Sequence, residues 1–159
     1  MEYMGTKAYT VEQALEKMRH FCAYQERCHG EVRDRLGEYP LDAEEVEEVI
    51  SRLIGEDYLN EERFAMAWAG GKFRILHWGR VRIRYELKRK GLSEYTIRKG
   101  LASIDEEDYA ASLEKLALAR WETERRGPGN DFLKRRRVAA FLLRKGYEPD
   151  RVREVTEKL

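Results

Sequence analysis

Cysteine is scarce in this chain: its 159 residues hold two, Cys22 and Cys28. Two cysteines make no disulfide framework, so the cytoplasm is the expected location. No apolar run approaches the roughly 20 residues needed to span a bilayer. The opening stretch MEYMGTKAYT has neither an apolar core nor a cleavage signal, so no secretory leader and no membrane association are expected. Proline occurs three times, and Gly/Ser linkers, low-complexity tracts and an acidic tail are all missing, which argues against disorder. Catalytic and metal-binding patterns are also wanting. Cys22 and Cys28 beside His20 and His29 lack zinc-site spacing and a second ligand pair, so no metal is expected. His77 has no nucleophile or carboxylate partner in sequence, and Gly70-Gly71 lacks the Lys-Ser/Thr of a phosphate loop. No catalytic residue and no cofactor are therefore assigned.

What the chain has in quantity is charge, at 38% of residues, beside 42% hydrophobic residues. Lys, Arg, Glu, Leu and Ala in these amounts suit amphipathic helices around a core. The net charge of +1 conceals a division: residues 1–60 carry −7, residues 61–103 carry +7 and residues 104–159 carry +1. A basic middle suits nucleic acid or an acidic protein surface.

The chain also repeats itself. Ile83, Leu87, Lys90 and Gly91 recur 55 residues later as Val138, Leu142, Lys145 and Gly146. Apolar residues four apart mark one helix face, a terminal lysine suits the helix dipole, and the glycine supplies the left-handed closing residue. New helices are expected at once, from an N-cap at Ser93 and with Pro149 in the first turn. A weaker copy lies 51 residues earlier, where Val32 and Leu36 match Ile83 and Leu87. There Pro40 is expected to stop the helix and Asp42 with Glu45 to form a capping box. A longer helix precedes each pair, one starting at Asn60 with Phe64 and Trp68 on its stripe, another at Asp105 with Tyr109 and Trp121; Trp68 and Trp121 are expected in the core. Gly70-Gly71 should weaken the first of these by roughly 1–2 kcal/mol, so that its end frays.

The predicted fold is thus all-α: three tandem three-helix repeats in an elongated, curved array. A tail covers residues 1–7, an acidic repeat 8–54, a basic repeat 55–103 and a third repeat 104–159. Such an array needs no partner chain to close a core, so a monomer is expected.

Three blocks carry a resemblance to a known family. Residues Tyr58-Leu59-Asn60-Glu61-Glu62-Arg63-Phe64-Ala65 resemble the RecX signature of an aromatic, Leu, Asn/Asp, two acids and Phe-Ala. The run from Gly79 to Leu92 resembles the next RecX block, and Arg136 to Tyr147 the closing one. Arg80 departs from the pattern, standing where the family often has proline. The resemblance implies a regulator in DNA repair, homologous recombination and the SOS response. It would lodge in the groove of the RecA filament on DNA and modulate its ATPase, strand-exchange and coprotease activities.

Candidate partner-binding residues follow from the charge imbalance. Lys72, Arg74, Arg80, Arg82, Lys88, Arg89 and Arg98 fall in the basic repeat, with Arg84 and Lys99 beside them. Lys134 and Arg135, continued by Arg136 and Arg137, form a second cluster. Glu122, Glu124, Asp131 and Glu154 are placed to neutralise that cluster, leaving a solvated face as its plainer reading. The same bases could bind DNA phosphates directly, which is the alternative function. Trp78, in a loop between Arg74 and Arg80, is either an interface anchor or a staple between repeats.

Overall fold

Helix starts are written into the chain as polar residues that accept the first free backbone N–H groups. Thr10 caps the first helix in a capping box with Gln13, and Asp42 forms the same box with Glu45. The side chains of Asn60, Ser93, Asp105 and Asn130 accept from the backbone N–H three residues on. The computed structural model describes residues 9–159, and among these the regular elements are nine helices. Repeat 1 contains α1 (Val11–Tyr24), α2 (His29–Leu36) and α3 (Ala43–Gly55). Repeat 2 contains α4 (Glu61–Leu76), α5 (Arg80–Arg89) and α6 (Glu94–Ala102). Repeat 3 contains α7 (Glu106–Glu124), α8 (Asp131–Lys145) and α9 (Pro149–Glu157). Residues 1–7, the expected tail, lie outside the described residues.

Helix ends follow the glycine pattern in repeats 2 and 3. Gly91 and Gly146 take φ of +85° and +101°, the left-handed conformation that glycine adopts without a Cβ penalty. Two expectations are corrected. The helix beginning after Asn60 does not fray at Gly70-Gly71 but runs to Leu76. Ala65, Ala69, Gly70 and Phe73 are buried on one side of it, and that packing outweighs the poor glycine propensity. In repeat 1 the second helix ends at Leu36, capped by Gly37, well before Pro40. Proline there follows the stop and does not cause it.

Within a repeat the first and third helices pack closely, as α1 on α3 and α4 on α6. A Cβ on Gly100 of α6 would lie 2.9 Å from the Ala65 carbonyl oxygen, so this glycine lets two backbones meet. In repeat 3 the longer α8 takes over much of the contact with α7. All the extensively packed helix pairs lie inside one repeat. The core divides accordingly. One cluster, with Leu15, Met18, Val32, Leu36, Ile50 and Leu53, fills repeat 1. A second runs unbroken through repeats 2 and 3, from Phe64 and Ile83 to Val138 and Leu142. The clusters trade one residue each: Cys28 joins the second and Leu59 the first.

The second helices of the repeats meet end to end. At the C-terminus of α8 the Lys145 carbonyl accepts from the Gly79 N–H at 2.8 Å and the Gly146 carbonyl from the Val81 N–H at 2.9 Å. A Cβ on Gly79 would lie 2.4 Å from the Gly146 carbonyl carbon, so no side chain fits between them. The C-terminus of α5 meets α2 more loosely, Gly30 facing the Lys90 carbonyl with room for a Cβ at 3.4 Å. Polar contacts hold that second joint: Arg63 pairs with Glu26, the His29 backbone N–H donates to Glu61 at 3.1 Å, and Lys90 pairs with Glu31 at 3.9 Å.

Candidate functional site

The basic residues of repeat 2 separate into those bound into the scaffold and those left outside. Arg80 belongs to the first group, its side chain only 20% exposed. Its backbone N–H donates to the Tyr109 hydroxyl at 3.0 Å, a bond that a proline could not make. Its guanidinium pairs with Glu106 at 2.7 Å and Glu148 at 3.7 Å and lies 3.8 Å from the Tyr109 ring centroid. Tyr109 in turn donates to Glu148, and Arg151 pairs with both acids. Arg151 and Arg80 together hold the Glu106 carboxyl below the usual range, while burial pushes the Tyr109 phenol above its own. This cluster fastens α5 to α7 and α9, so Arg80, a candidate partner-binding residue by its charge, is bound into the scaffold.

Lys72 and Arg82 bracket an aromatic pair. Trp68 and Trp78 meet edge to face at 5.9 Å. Lys72 Nζ stands 5.2 Å from the Trp68 ring and 5.3 Å from the Trp78 ring, and the Arg82 guanidinium lies 4.0 Å from Trp78. Trp78 is therefore a half-buried staple between α4 and α5, inside repeat 2, while the adjoining Gly79 makes the backbone joint to repeat 3. Trp68 and Trp121 are half-buried, packed on the rim of the core cluster and not within it. Arg74 folds back over Gly70 and lines a cleft of about 440 Å³ between α4 and α7 with His77, Asp108 and Lys115.

Lys88, Arg89 and Arg98 remain exposed. Arg89 has one neighbour of opposite sign, Glu86 at 3.7 Å on its own helix; Arg84 is paired with Glu94. Tyr85 and Tyr95 are exposed among these bases, with Arg89 5.9 Å from the Tyr85 ring and Lys99 5.4 Å from the Tyr95 ring. Tyr85, opposite the Ile83–Leu87 line of α5, and Tyr95, turned away from the Ile97–Leu101 line of α6, escape a search based on charge, though their helical phase gives them away.

The second cluster is more committed. Lys134 donates to the Arg125 carbonyl at 2.9 Å, Arg135 to the Leu159 carbonyl at 2.9 Å and Arg137 to the Pro128 carbonyl at 2.9 Å. Arg137 also approaches Glu124 at 3.8 Å, one of the expected neutralising acids, whereas Glu122 pairs with Arg125 and Glu154 with Lys158. Arg136 alone stays outside, 5.8 Å from the exposed Phe132 ring.

Burial pushes the thiols of Cys22 and Cys28 up to about 11, so both are un-ionised at neutral pH. Among the described residues no cluster of three or more His, Cys, Asp or Glu could hold a metal ion, and no helix is long and apolar enough to cross a membrane.

Comparison with known proteins agrees in every repeat. The first, second and third three-helix domains of RecX match residues 11–53, 60–101 and 106–156 respectively. The chain is 30% identical to the regulatory protein RecX of Mycobacterium sp. (strain KMS) over 139 residues, covering 86% of this chain and 75% of the relative. It is also 30% identical to the regulatory protein RecX of Clostridium perfringens (strain 13 / Type A) over 129 residues, 81% of this chain but only 60% of that protein's length. Among solved structures, RecX from Lactobacillus salivarius superposes with a TM-score of 0.83 at 19% identity, covering 94% of this chain and 96% of the other. A further regulatory protein RecX gives a TM-score of 0.81 at 24% identity, covering 94% of this chain and 72% of that one; at these identities the likeness is one of fold. Three matched domains in chain order, with a relative at 30% identity over most of both lengths, place the chain in the RecX family.

Proposed function

We propose that this chain regulates the RecA recombinase filament by binding it, and performs no chemistry of its own. The observation that carries this reading is the presence of all three RecX domains in order. The exposed bases of repeat 2, Lys88, Arg89 and Arg98, would contribute to the contact, with Lys72, Arg74 and Arg82 at its edge. Arg80, Lys134 and Arg135 would support the scaffold beneath it. Regulation would operate through differential affinity: a chain that binds one filament state more tightly shifts the population towards that state. A state slow to hydrolyse ATP, or quick to lose subunits, would lower RecA activity.

A second reading is favoured by the tyrosines among the bases. Aromatic rings beside cations also suit single-stranded DNA, with bases stacked and phosphates neutralised. The two readings separate in one experiment. RecA's DNA-dependent ATPase is measured with this protein titrated in, at two salt concentrations, beside binding to bare single-stranded DNA. Loss of ATPase at concentrations that leave bare DNA unbound is the expected result. If ATPase falls only where bare DNA is already coated, and both effects fade steeply with salt, the chain competes for DNA instead.

A further inference from the structure

The end-to-end joint between α8 and α5 has a surface consequence. It sets the outward faces of two helices from different repeats in series, through the Gly79–Lys145 and Val81–Gly146 hydrogen bonds. Both faces carry large apolar side chains in water: Phe132 is 63% exposed and Leu143 45% on α8, Val81 49% and Tyr85 62% on α5. On α5, Val81 and Tyr85 lie opposite the buried Ile83 and Leu87; on α8, Phe132 and Leu143 share one flank, roughly 100–120° round the helix from the buried Val138 and Leu142. Arg136, Arg144 and Arg89 are exposed along the same faces. The two helices carry two acids: Glu86, partly buried and paired with Arg89, and Asp131, exposed in the first turn of α8.

This is not the general habit of the fold. In repeat 1 the positions matching Val81, Tyr85 and Arg89 hold Gly30 and Asp34 on α2 and Glu38 just beyond its end. At these three positions repeat 1 is small and acidic and repeat 2 apolar and basic, while repeat 3 keeps the bases, as Arg136 and Arg144, on either side of Ala140. Solitary exposed apolar residues need no explanation, but a row of them flanked by arginines has the composition of an interface.

We infer that the outward α8–α5 ridge is a protein-docking surface whose partner presents apolar pockets within an acidic rim. The sign follows from the arginines, and the pockets from Phe132, Leu143, Val81 and Tyr85. Aliphatic anchors favour protein over nucleic acid, since Leu143 and Val81 give a base no ring to stack on. Aromatic anchors with adjoining arginines are the side chains in which interface energy concentrates. The inference rests on the proposed regulation of RecA, and it locates that contact on a ridge built jointly by repeats 2 and 3.

The test uses the full chain, the RecA filament and bare single-stranded DNA. In one variant Tyr85→Ser, Phe132→Ser and Leu143→Ser are combined; in a second, Arg89→Ser and Arg144→Ser. All five positions are exposed, and circular dichroism melts confirm folding; should the apolar variant not fold, the arginine variant carries the test alone. The concentration of protein that halves RecA ATPase is expected to rise about ten-fold or more in each, with affinity for bare DNA nearly unchanged in the apolar variant. Inhibition equal to wild type in a folded variant overturns the ridge while leaving the RecA reading intact. Parallel loss of DNA affinity and inhibition in the apolar variant makes the ridge a nucleic-acid surface and overturns the protein partner. If the unaltered chain fails to inhibit, the RecA reading itself falls and the ridge assignment falls with it.

Discussion

Arg80 and Tyr109 hold each other twice: the Arg80 backbone N–H donates to the Tyr109 hydroxyl at 3.0 Å, and its guanidinium covers the same ring, 3.8 Å from the centroid. Backbone and side chain of one residue from repeat 2 thus engage one side chain from repeat 3. The hydroxyl passes the interaction on by donating to Glu148. Tyr109→Phe keeps the ring but leaves the Arg80 N–H and the Glu148 carboxylate each short of a partner. A loss of about 1–3 kcal/mol is expected, the range for stranding a buried polar group. Urea denaturation measures it. A change within error would mean that water replaces the hydroxyl without cost.

Two closing glycines separate backbone conformation from packing. Gly91 at φ +85° has no atom within 4 Å of a built Cβ, whereas at Gly146, φ +101°, the Cβ would lie 2.3 Å from Arg82 Cβ. Gly91→Ala should cost about 1 kcal/mol, from left-handed backbone alone. Gly146→Ala should cost about 3 kcal/mol or more, because the α8–α5 joint must also open. Gly71→Ala, inside α4 with an open Cβ position, should stabilise by about 0.5–1 kcal/mol. Equal costs at Gly91 and Gly146 would show that the joint gives way easily.

Acid should loosen the cluster that fastens α5 to α7 and α9. Arg151 and Arg80 depress the Glu106 carboxyl below its ordinary 4.5 in the folded chain. The unfolded state therefore takes up its proton first as pH falls. The contribution of Glu106 is complete above pH 4.5 and disappears as pH drops through the depressed value. Because Glu106 is largely exposed, the effect should be modest. Urea midpoints for wild type and Glu106→Gln should differ at pH 7, and the gap should narrow progressively as pH falls below 4.5; a gap that does not narrow on acidification would assign the stabilisation to something other than ionised Glu106.

Local grammar was legible in the sequence, and long-range pairing was not. The caps at Asp42, Asn60, Ser93 and Asp105, and the left-handed Gly91 and Gly146, depend on neighbours a few residues away. Gly70-Gly71 misled because burial of the Ala65–Phe73 side of α4 is decided by α6, far along the chain. Arg80 reads as one base among several until Glu106, Tyr109 and Glu148 surround it. Gly79 gave no warning that its missing Cβ makes room for Gly146. Family membership was legible because its three blocks are themselves local.

The divided core predicts divided unfolding. Repeats 2 and 3 share one apolar cluster and a backbone-bonded joint, while repeat 1 has its own cluster and a joint made chiefly of ion pairs. Arrays of this kind lose cooperativity at their weakest interface. All three tryptophans, Trp68, Trp78 and Trp121, lie in repeats 2 and 3, so fluorescence is blind to repeat 1 whereas far-ultraviolet circular dichroism sees every helix. Repeat 1 should melt first in urea, and the dichroism curve should start to fall at a lower concentration than the fluorescence curve. Added salt should widen the interval, since it screens the partly exposed pairs Arg63–Glu26 and Lys90–Glu31 and leaves the Gly79–Lys145 backbone bond untouched. Coincident curves at both salt concentrations would mean that Cys28 and Leu59, each buried in the neighbouring cluster, couple the repeats into a single unit.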